Sequence, residues 1–393
     1  MDVLQQGIVT LIRSGLTGEK RTLPEAFDLE QAYPRIVHHQ IQPICYLGAV
    51  SCGVDKQLPV MQQLFRGYCR CLVHNEGQMA VVQRVCAGFD EGGIDYMLLK
   101  GCNLKRLYPQ PELRLMADAD ILIRMDQYDR IRPILLELGL QEDRESDHEL
   151  IWSNAALQLE LHKRLIPSGN RDYFRYFGDG WDLANIQNGN QYSMTPEDEY
   201  IYLFTHFAKH YRDGGIGFRH AVDLWVYRKA KALDETYIAA ELKKLHLLEF
   251  EQNVRRMLAV WFEDAEPDEK SRFITNVIFG SGAWGQHLNH ILAATARESK
   301  DTNNLFAARV KRLWKLTFLP YWQMKQKYPV LVRWPVLLPV FWVVRAVDIL
   351  VFTKGKMQRH GREFLYTSAK NTETYQRALN YVGLDFHFKE DVS

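Results

Sequence analysis

The sequence predicts an α+β protein: a small mixed sheet embedded in a mostly helical chain. Three observations predict it. Residues 60–89 hold no proline, and their apolar side chains (Leu64, Tyr68, Cys71, Leu72, Val81, Val82, Val85) recur near helical spacing. Residues 94–161 alternate short β-prone runs with short helical ones. From Thr195 onward one helical pattern follows another.

Taken in order, residues 1–90 read as an N-terminal helical region, which the Gly92-Gly93 pair ends. Residues 94–99 form a first strand, and residues 102–108 after Gly101 make two helical turns. Pro109-Gln110-Pro111 is a loop, and residues 119–123 form a second strand. Residues 126–138 read as a helix with Tyr128, Ile131, Ile134, Leu135 and Leu138 on one face, kinked or restarted at Pro133. Ile151-Trp152 belongs to a third strand. Residues 157–161 alternate with Gln158 and Glu160 and make another. This bounds an α/β core at residues 91–165. A helical domain at 166–300 and a C-terminal helical region at 301–393 follow.

Thr195 is a good N-cap, with Pro196 in the first turn and Glu197, Asp198 and Glu199 complementing the helix dipole. Helical patterns continue at 202–211, 218–232, 234–245, 249–262 and 268–279, and residues 280–285 read as a loop. Residues 304–381 are helical again, broken near Pro320, Pro329, Pro335 and Pro339.

Composition narrows the function classes. The 393 residues predict two or three structural units, and 47% apolar with 25% charged residues is ordinary for a globular chain. A formal net charge of +1 offers no global attraction for nucleic acid. All six cysteines lie in the first 102 residues without a Cys-x-x-Cys, which reads as reduced thiols in a cytoplasmic protein. The N-terminus lacks the basic and apolar regions of a signal peptide. Residues 328–352 are rich in Val, Leu, Trp and Phe. Arg333, Arg345 and Asp348 interrupt them, and the uncharged stretch 334–344 falls short of the roughly 20 residues a span needs. They read as a buried helix, with a peripheral membrane or protein contact as the alternative. Trp314, Trp322, Trp334 and Trp342 in the C-terminal region motivate a partner-binding surface, with plain core residues as the alternative.

The chemistry-bearing residues centre on Asp118 and Asp120. An Asp-x-Asp leading into a β-run puts both carboxylates on one side of the strand. Two such charges repel unless a cation lies between them, and the hard, oxygen-liganded choice is Mg²⁺. Lys100 and Gly101 close the first strand and open a helix. There a glycine permits close backbone approach to a phosphate, and the N–H groups that follow, beginning at Cys102, form an anion site. Arg114 lies four residues before Asp118 and leans over the same pocket. Glu160 is a third carboxylate on a neighbouring strand, with His162 on its side. Three carboxylates on adjacent strands beside a glycine-led helix suit metal-assisted nucleotidyl transfer.

Leu98-Leu99-Lys100-Gly101, Tyr108, Pro109, Arg114, Asp118-Ala119-Asp120-Ile121-Leu122-Ile123 and Leu159-Glu160-Leu161-His162 follow in that order. The arrangement resembles the bacterial uncharacterised nucleotidyltransferase family of the polymerase-β-like superfamily, over roughly residues 60–350. The resemblance implies a polymerase-β-type fold, an NTP donor (ATP being the expected one) and Mg²⁺ as cofactor. It makes Asp118 and Asp120 the metal acids and Glu160 the third. The wider superfamily carries Gly-Gly or Gly-Ser where this chain has Gly101-Cys102, and a shorter spacing from there to the acids. Glu160 stands where a family member often has Asp.

His206 and His210 lie at i, i+4 on one helical face, followed by Arg219, His220 and Asp223-Leu224. This segment also resembles the helical half of that family. It is expected to line the nucleotide or acceptor cleft through His206, His210 and Arg219. No Glu follows His206, so the metalloprotease motif fails, although zinc binding is an alternative. The leading expectation is NMP transfer to an unknown acceptor. The alternatives are an inactive nucleotide- or partner-binding module with the same fold, and a metal-dependent hydrolase built on the histidines.

Overall fold

The computed structural model describes residues 1–281, 318–319, 321–352 and 369–386. They fall into two compact units. The first comprises residues 1–211 and 216–284, the second residues 212–215 and 285–393.

In the first unit, helices α1 (Val3–Thr17), α2 (Leu29–His38), α3 (Gln42–Ser51) and α4 (Pro59–Glu91) form the expected N-terminal helical region. Pro59 sits in the first turn of α4, where its missing N–H costs nothing. At the other end Gly93 adopts a φ of 61°, and the Ile94 N–H reaches back to the Phe89 carbonyl at 2.8 Å. That left-handed cap turns the chain directly into the sheet. The buried stripe of α4 runs Asn75, Gln78, Val82, Val85, Phe89, the spacing of one helix face.

The sheet has seven strands: β1 (Tyr96–Leu98), β2 (Asp118–Ile123), β3 (Gln141–Glu145), β4 (Glu149–Ser153), β5 (Gln158–His162), β6 (Asn185–Asn188) and β7 (Gln191–Ser193). Their order is β3-β4-β5-β2-β1-β7-β6, with β2–β5 and β1–β7 parallel and the other pairs antiparallel. The expected mixed sheet is present, and it runs on to Ser193, past residue 165. Strands β3, β6 and β7 carry no apolar alternation. Every residue of β3 and β6 is exposed, so the sequence pattern gave no sign of them.

One face of the sheet is the core. Ala119, Ile121 and Ile123 of β2, Leu159 and Leu161 of β5, and Leu150 and Trp152 of β4 pack with Val82, Val85 and Phe89 of α4. Ile131 and Leu135 of α6 (Tyr128–Glu137) join them. Pro133 lies inside α6 without ending it, and a 3₁₀ turn, Met125–Gln127, precedes the helix. Because side chains alternate along a strand, the even-numbered residues of β2 and β5 face the other way.

Helix α7 (Arg171–Phe177) lies between β5 and β6, and after β7 come α8 (Pro196–Arg212) and α9 (Phe218–Ala230). They continue with α10 (Glu235–Lys244), α11 (Leu248–Phe262) and α12 (Glu269–Ser281). Helix α12 includes Gly280 and Ser281, so the expected loop at 280–285 does not begin there; its other residues lie outside the described ones. In the second unit the described helices are Tyr321–Lys327, Val330–Arg333, Leu338–Phe352 and Ala369–Tyr381, with breaks at Pro329 and Pro335 as expected. The rest of the helical expectation for 304–381, with Trp314 and Pro320, lies outside the described residues, as does the side chain of Trp322.

His39, at the end of α2, joins the N-terminal helices to the later ones. It packs edge-on against Phe218 of α9 and Phe279 of α12, and its Nε2 bonds the Phe279 carbonyl at 3.3 Å. Burial pushes its pKa from 6.5 down to about 4. Between those values the unfolded chain binds a proton that the folded chain refuses, so this contribution to stability falls as pH drops. Urea unfolding of wild type and His39→Gln at pH 7 and pH 5 should show a smaller loss on acidification in the variant. An equal loss would remove His39 as a cause.

Candidate active site

On the outward face of the sheet, parallel pairing sets Asp120 directly opposite Glu160 and Asp118 opposite Gln158. His162 lies two residues beyond Glu160 on the same side. Antiparallel pairing on the other edge of β5 sets Glu149 opposite His162. The predicted acids therefore do meet.

Asp120 is the most buried of them, at 4% exposure. Its Oδ1 accepts a hydrogen bond from Lys100 Nζ at 2.7 Å and another from His162 Nε2 at 2.8 Å. Burial works to raise its pKa, but the Lys100 charge and the His162 hydrogen bond outweigh that and hold Asp120 below the usual carboxylate range. Lys100 is correspondingly raised: burial works against its charge, and Asp120 restores it. His162 is lowered by burial and by Lys100, so it is the neutral ring that donates from Nε2. Its Nδ1 is buried with no hydrogen-bond partner.

The other acids are destabilised. Burial and the Asp120 charge raise Asp118. Burial and the charges of Asp118, Asp120 and Glu149 push Glu160 up to about 8. Glu160 Oε2 lies 3.8 Å from His162 Nε2, and Gln158 donates to its other oxygen at 3.1 Å. This surplus of negative charge is what a cation would relieve. Asp120, Glu160 and His162 each place a donor atom within 4.8 Å of the others, and so do His148, Glu149 and His162. A set of carboxylate oxygens with one imidazole fits a divalent metal, and Asp118 is not among the donors gathered at that distance.

Lys100 reaches Asp120 from a strained position. Its φ of 43° and ψ of −112° lie where non-glycine residues seldom go. Such a conformation costs about 1–3 kcal/mol and persists where its surroundings demand it. Here the Leu99 N–H bonds the Asp120 carbonyl at 3.0 Å and Cys102 N–H bonds the Leu99 carbonyl at 3.2 Å, which fixes the bend. The helix after it, α5 (Gly101–Leu104), is a single turn followed by a 3₁₀ turn, Lys105–Leu107, not the two α-helical turns expected. Its dipole is correspondingly small.

Gly101 is required by close approach of side chains. A Cβ there would lie 2.7 Å from Arg114 Nη1 and 2.9 Å from Met116 Sδ. The Cys102 side chain is fully buried in the core, and its N–H, expected at the anion site, is bonded to the Leu99 carbonyl. Arg114 is turned toward α9, where it grips Asp223 with two hydrogen bonds of 2.8 and 2.9 Å, and the Tyr108 hydroxyl donates to the same carboxylate at 2.7 Å. Its expected place over the acids is thus shared with a structural pair. Arg219 donates to the Leu115 carbonyl at 3.2 Å, and burial and the Arg114 charge lower its pKa.

His206 and His210 of α8 meet His220 of α9, with ring centres 4.3, 5.9 and 5.7 Å apart. Burial drives His206 and His220 well below 6.5, so these rings are neutral. Among the described residues, the donor groups gathered within 4.8 Å do not include this trio, which gives the zinc alternative no support. Sequence reasoning did not assign His220, His148 or Glu149 to the site. The signal for Glu149 was its pairing with His162, which needs the β4–β5 register.

With this geometry in view, the comparison with known families is decisive. Residues 25–263 match the model of a family described as uncharacterised nucleotidyltransferase. The chain belongs to that nucleotidyltransferase family. The match begins before residue 60 and ends well before residue 350, so it covers α2–α4 of the N-terminal helices and omits α1 and the C-terminal region. No curated protein and no solved structure matches the chain at a significant level. Membership supports a general role in nucleotidyl transfer, with a nucleotide as substrate.

Two outcomes follow from this geometry. Lys100→Met should destabilise the fold by about 3–5 kcal/mol, because Asp120 is left as a buried charge without its cation. Gly101→Ala should cost about 1–3 kcal/mol by displacing Arg114 and Met116. Chemical denaturation measures both. Losses under about 0.5 kcal/mol would mean these contacts are not made.

Proposed function

We propose that this nucleotidyltransferase is Mg²⁺-dependent and moves NMP from an NTP, with ATP as the expected donor, to an acceptor hydroxyl or phosphate. The acceptor is a small molecule, sugar, peptide or protein. The observation that carries this reading is the register of β2 and β5, which sets Asp120 against Glu160 with Asp118 beside them on the face opposite the core. Asp118, Asp120 and Glu160 would hold the metal. When bound, Mg²⁺ neutralises the phosphate oxygens and lowers the barrier to displacement at the α-phosphorus.

The residues of the chain have separate tasks in this proposal. Lys100 neutralises Asp120 and presents an ammonium to the triphosphate. Arg219, whose charge is felt at Asp118, and the third nitrogen of Arg114, beside Gly101, supply further positive charge. His206 and His210 line the cleft, His206 as a neutral ring. A carboxylate of the acid set takes the proton of the acceptor hydroxyl. The acceptor oxygen then bonds to the α-phosphorus and pyrophosphate leaves.

A second reading is favoured by one contact. Lys100 already fills the role of a cation at Asp120, as it would in an inactive module that binds nucleotide or a partner without turnover.

The experiment is incubation with α-labelled NTPs and Mg²⁺, with pyrophosphate release and label transfer as readouts. Wild type should turn over, chelation should abolish turnover and Mg²⁺ should restore it. Asp118→Asn, at a half-buried position, should lose about a hundredfold or more, as expected when several kcal/mol of charge stabilisation is removed. Nucleotide binding without turnover would favour the inactive module. Absent NTP binding, or binding and turnover unchanged in Asp118→Asn, would sink the proposal.

A further inference from the structure

The second unit carries an apolar surface of unusual exposure. Val336 is 80% exposed, Val332 65%, Val343 64%, Val340 56% and Trp334 55%. Val336, Val340 and Val343 recur at helical spacing along the 3₁₀ turn Pro335–Leu337 and the helix Leu338–Phe352.

The opposite side of that helix is also apolar, and it is already used. Phe341 packs against Tyr328 at 4.9 Å and Trp342 against Phe318 at 5.2 Å. The Trp342 indole donates to the Leu319 carbonyl at 2.8 Å. A helix on a water-facing surface ordinarily turns polar side chains outward. This one turns valines outward, and a patch of that kind marks an interaction surface.

Charge identifies the partner. Between residues 302 and 362 there are twelve Lys and Arg and one acid, Asp348, in a chain whose net charge is +1. Lys325, Lys327 and Arg333, which precede Val336, Val340 and Val343 in the chain, are exposed. Trp334 sits next to Arg333, the pairing of aromatic ring and basic residue found at a lipid headgroup boundary. An apolar protein partner accounts for the valines and not for the missing acids. A nucleic acid accounts for the charge and not for the valines. An anionic bilayer accounts for both.

Length sets the mode. The helix has 15 residues, about 22 Å at 1.5 Å per residue, against a hydrocarbon core of about 30 Å. No described helix is long and apolar enough to cross a membrane. We propose that residues 325–344 form a peripheral docking surface for an anionic lipid bilayer, with the helix lying along the headgroup boundary, Val336, Val340 and Val343 entering the acyl region, and Lys325, Lys327 and Arg333 on the phosphates.

The test is co-flotation of the full chain with vesicles of phosphatidylcholine alone or of equal parts phosphatidylcholine and phosphatidylglycerol. Wild type should float with the mixed vesicles, at least about tenfold more weakly with phosphatidylcholine alone, and should be released by salt. Val336→Asp/Val340→Asp should weaken flotation about tenfold or more. Lys325→Glu/Lys327→Glu, confined to exposed positions, should weaken it by a similar factor and flatten its salt dependence. Circular dichroism and NTP binding should be unchanged in both variants. Three results would each overturn the proposal: no flotation of wild type with the anionic vesicles, flotation undiminished in both variants, or a stable dimer in solution that Val336→Asp/Val340→Asp splits.

Discussion

A carboxylate as deeply buried as Asp120 must be neutralised, and three segments of the chain converge to do it. The strained bend after β1 brings Lys100, β5 brings His162, and β2 holds the carboxylate between them. Removing charge from water is costly, and the cost is recovered only when geometry and hydrogen bonds are good. The left-handed backbone of Lys100, the short α5 and the single neutral tautomer of His162 are consequences of that demand. The less buried acids, Asp118 and Glu160, are left without equivalent partners. They are the ones whose negative charge is disfavoured, and a cation would relieve them.

The helical scaffold makes this arrangement rigid. Polar residues on the buried stripe of α4 hold the loop that enters β2: Gln78 donates to the Met116 carbonyl at 2.9 Å, and Asn75 accepts from Lys105. Asn103 bonds both the Leu98 carbonyl and Glu199 of α8, and Tyr227 of α9 donates to the same Glu199. Arg114 and Tyr108 on Asp223 complete the join between sheet and helices. These contacts fix the distance between the acids on the sheet and the histidines on α8 and α9. Such precision is what positioning a triphosphate requires.

Legibility followed the physical origin of each element. Strands β1, β2, β4 and β5 were visible because burial of one or both faces enforces apolar runs and alternation. Strands β3, β6 and β7 were hidden because they are short polar or half-exposed elements, β3 and β6 at the sheet edges and β7 next to β6, held by pairing with neighbours rather than by their own side chains. The α8–α12 helices were legible from their caps and stripes, such as Thr195 and Pro196 at the start of α8. At the site, the order Lys100-Gly101, Asp118-x-Asp120, Glu160-x-His162 was readable because the period of a strand assigns faces without any knowledge of partners.

The sequence by itself determined which side chains share a face and where the apolar strands and the capped helices lie, because these depend on local periodicity and turn chemistry. It therefore identified Asp118, Asp120, Glu160 and His162 as one set. What the tertiary structure decided was pairing. It chose Asp120 for Lys100, Asp223 for Arg114 and the core for Cys102, and it brought Glu149 beside His162 and His220 beside His206. These choices depend on register and on packing between segments distant in the chain. No local pattern encodes them, because the energy that selects each partner exists only once both groups have left water together.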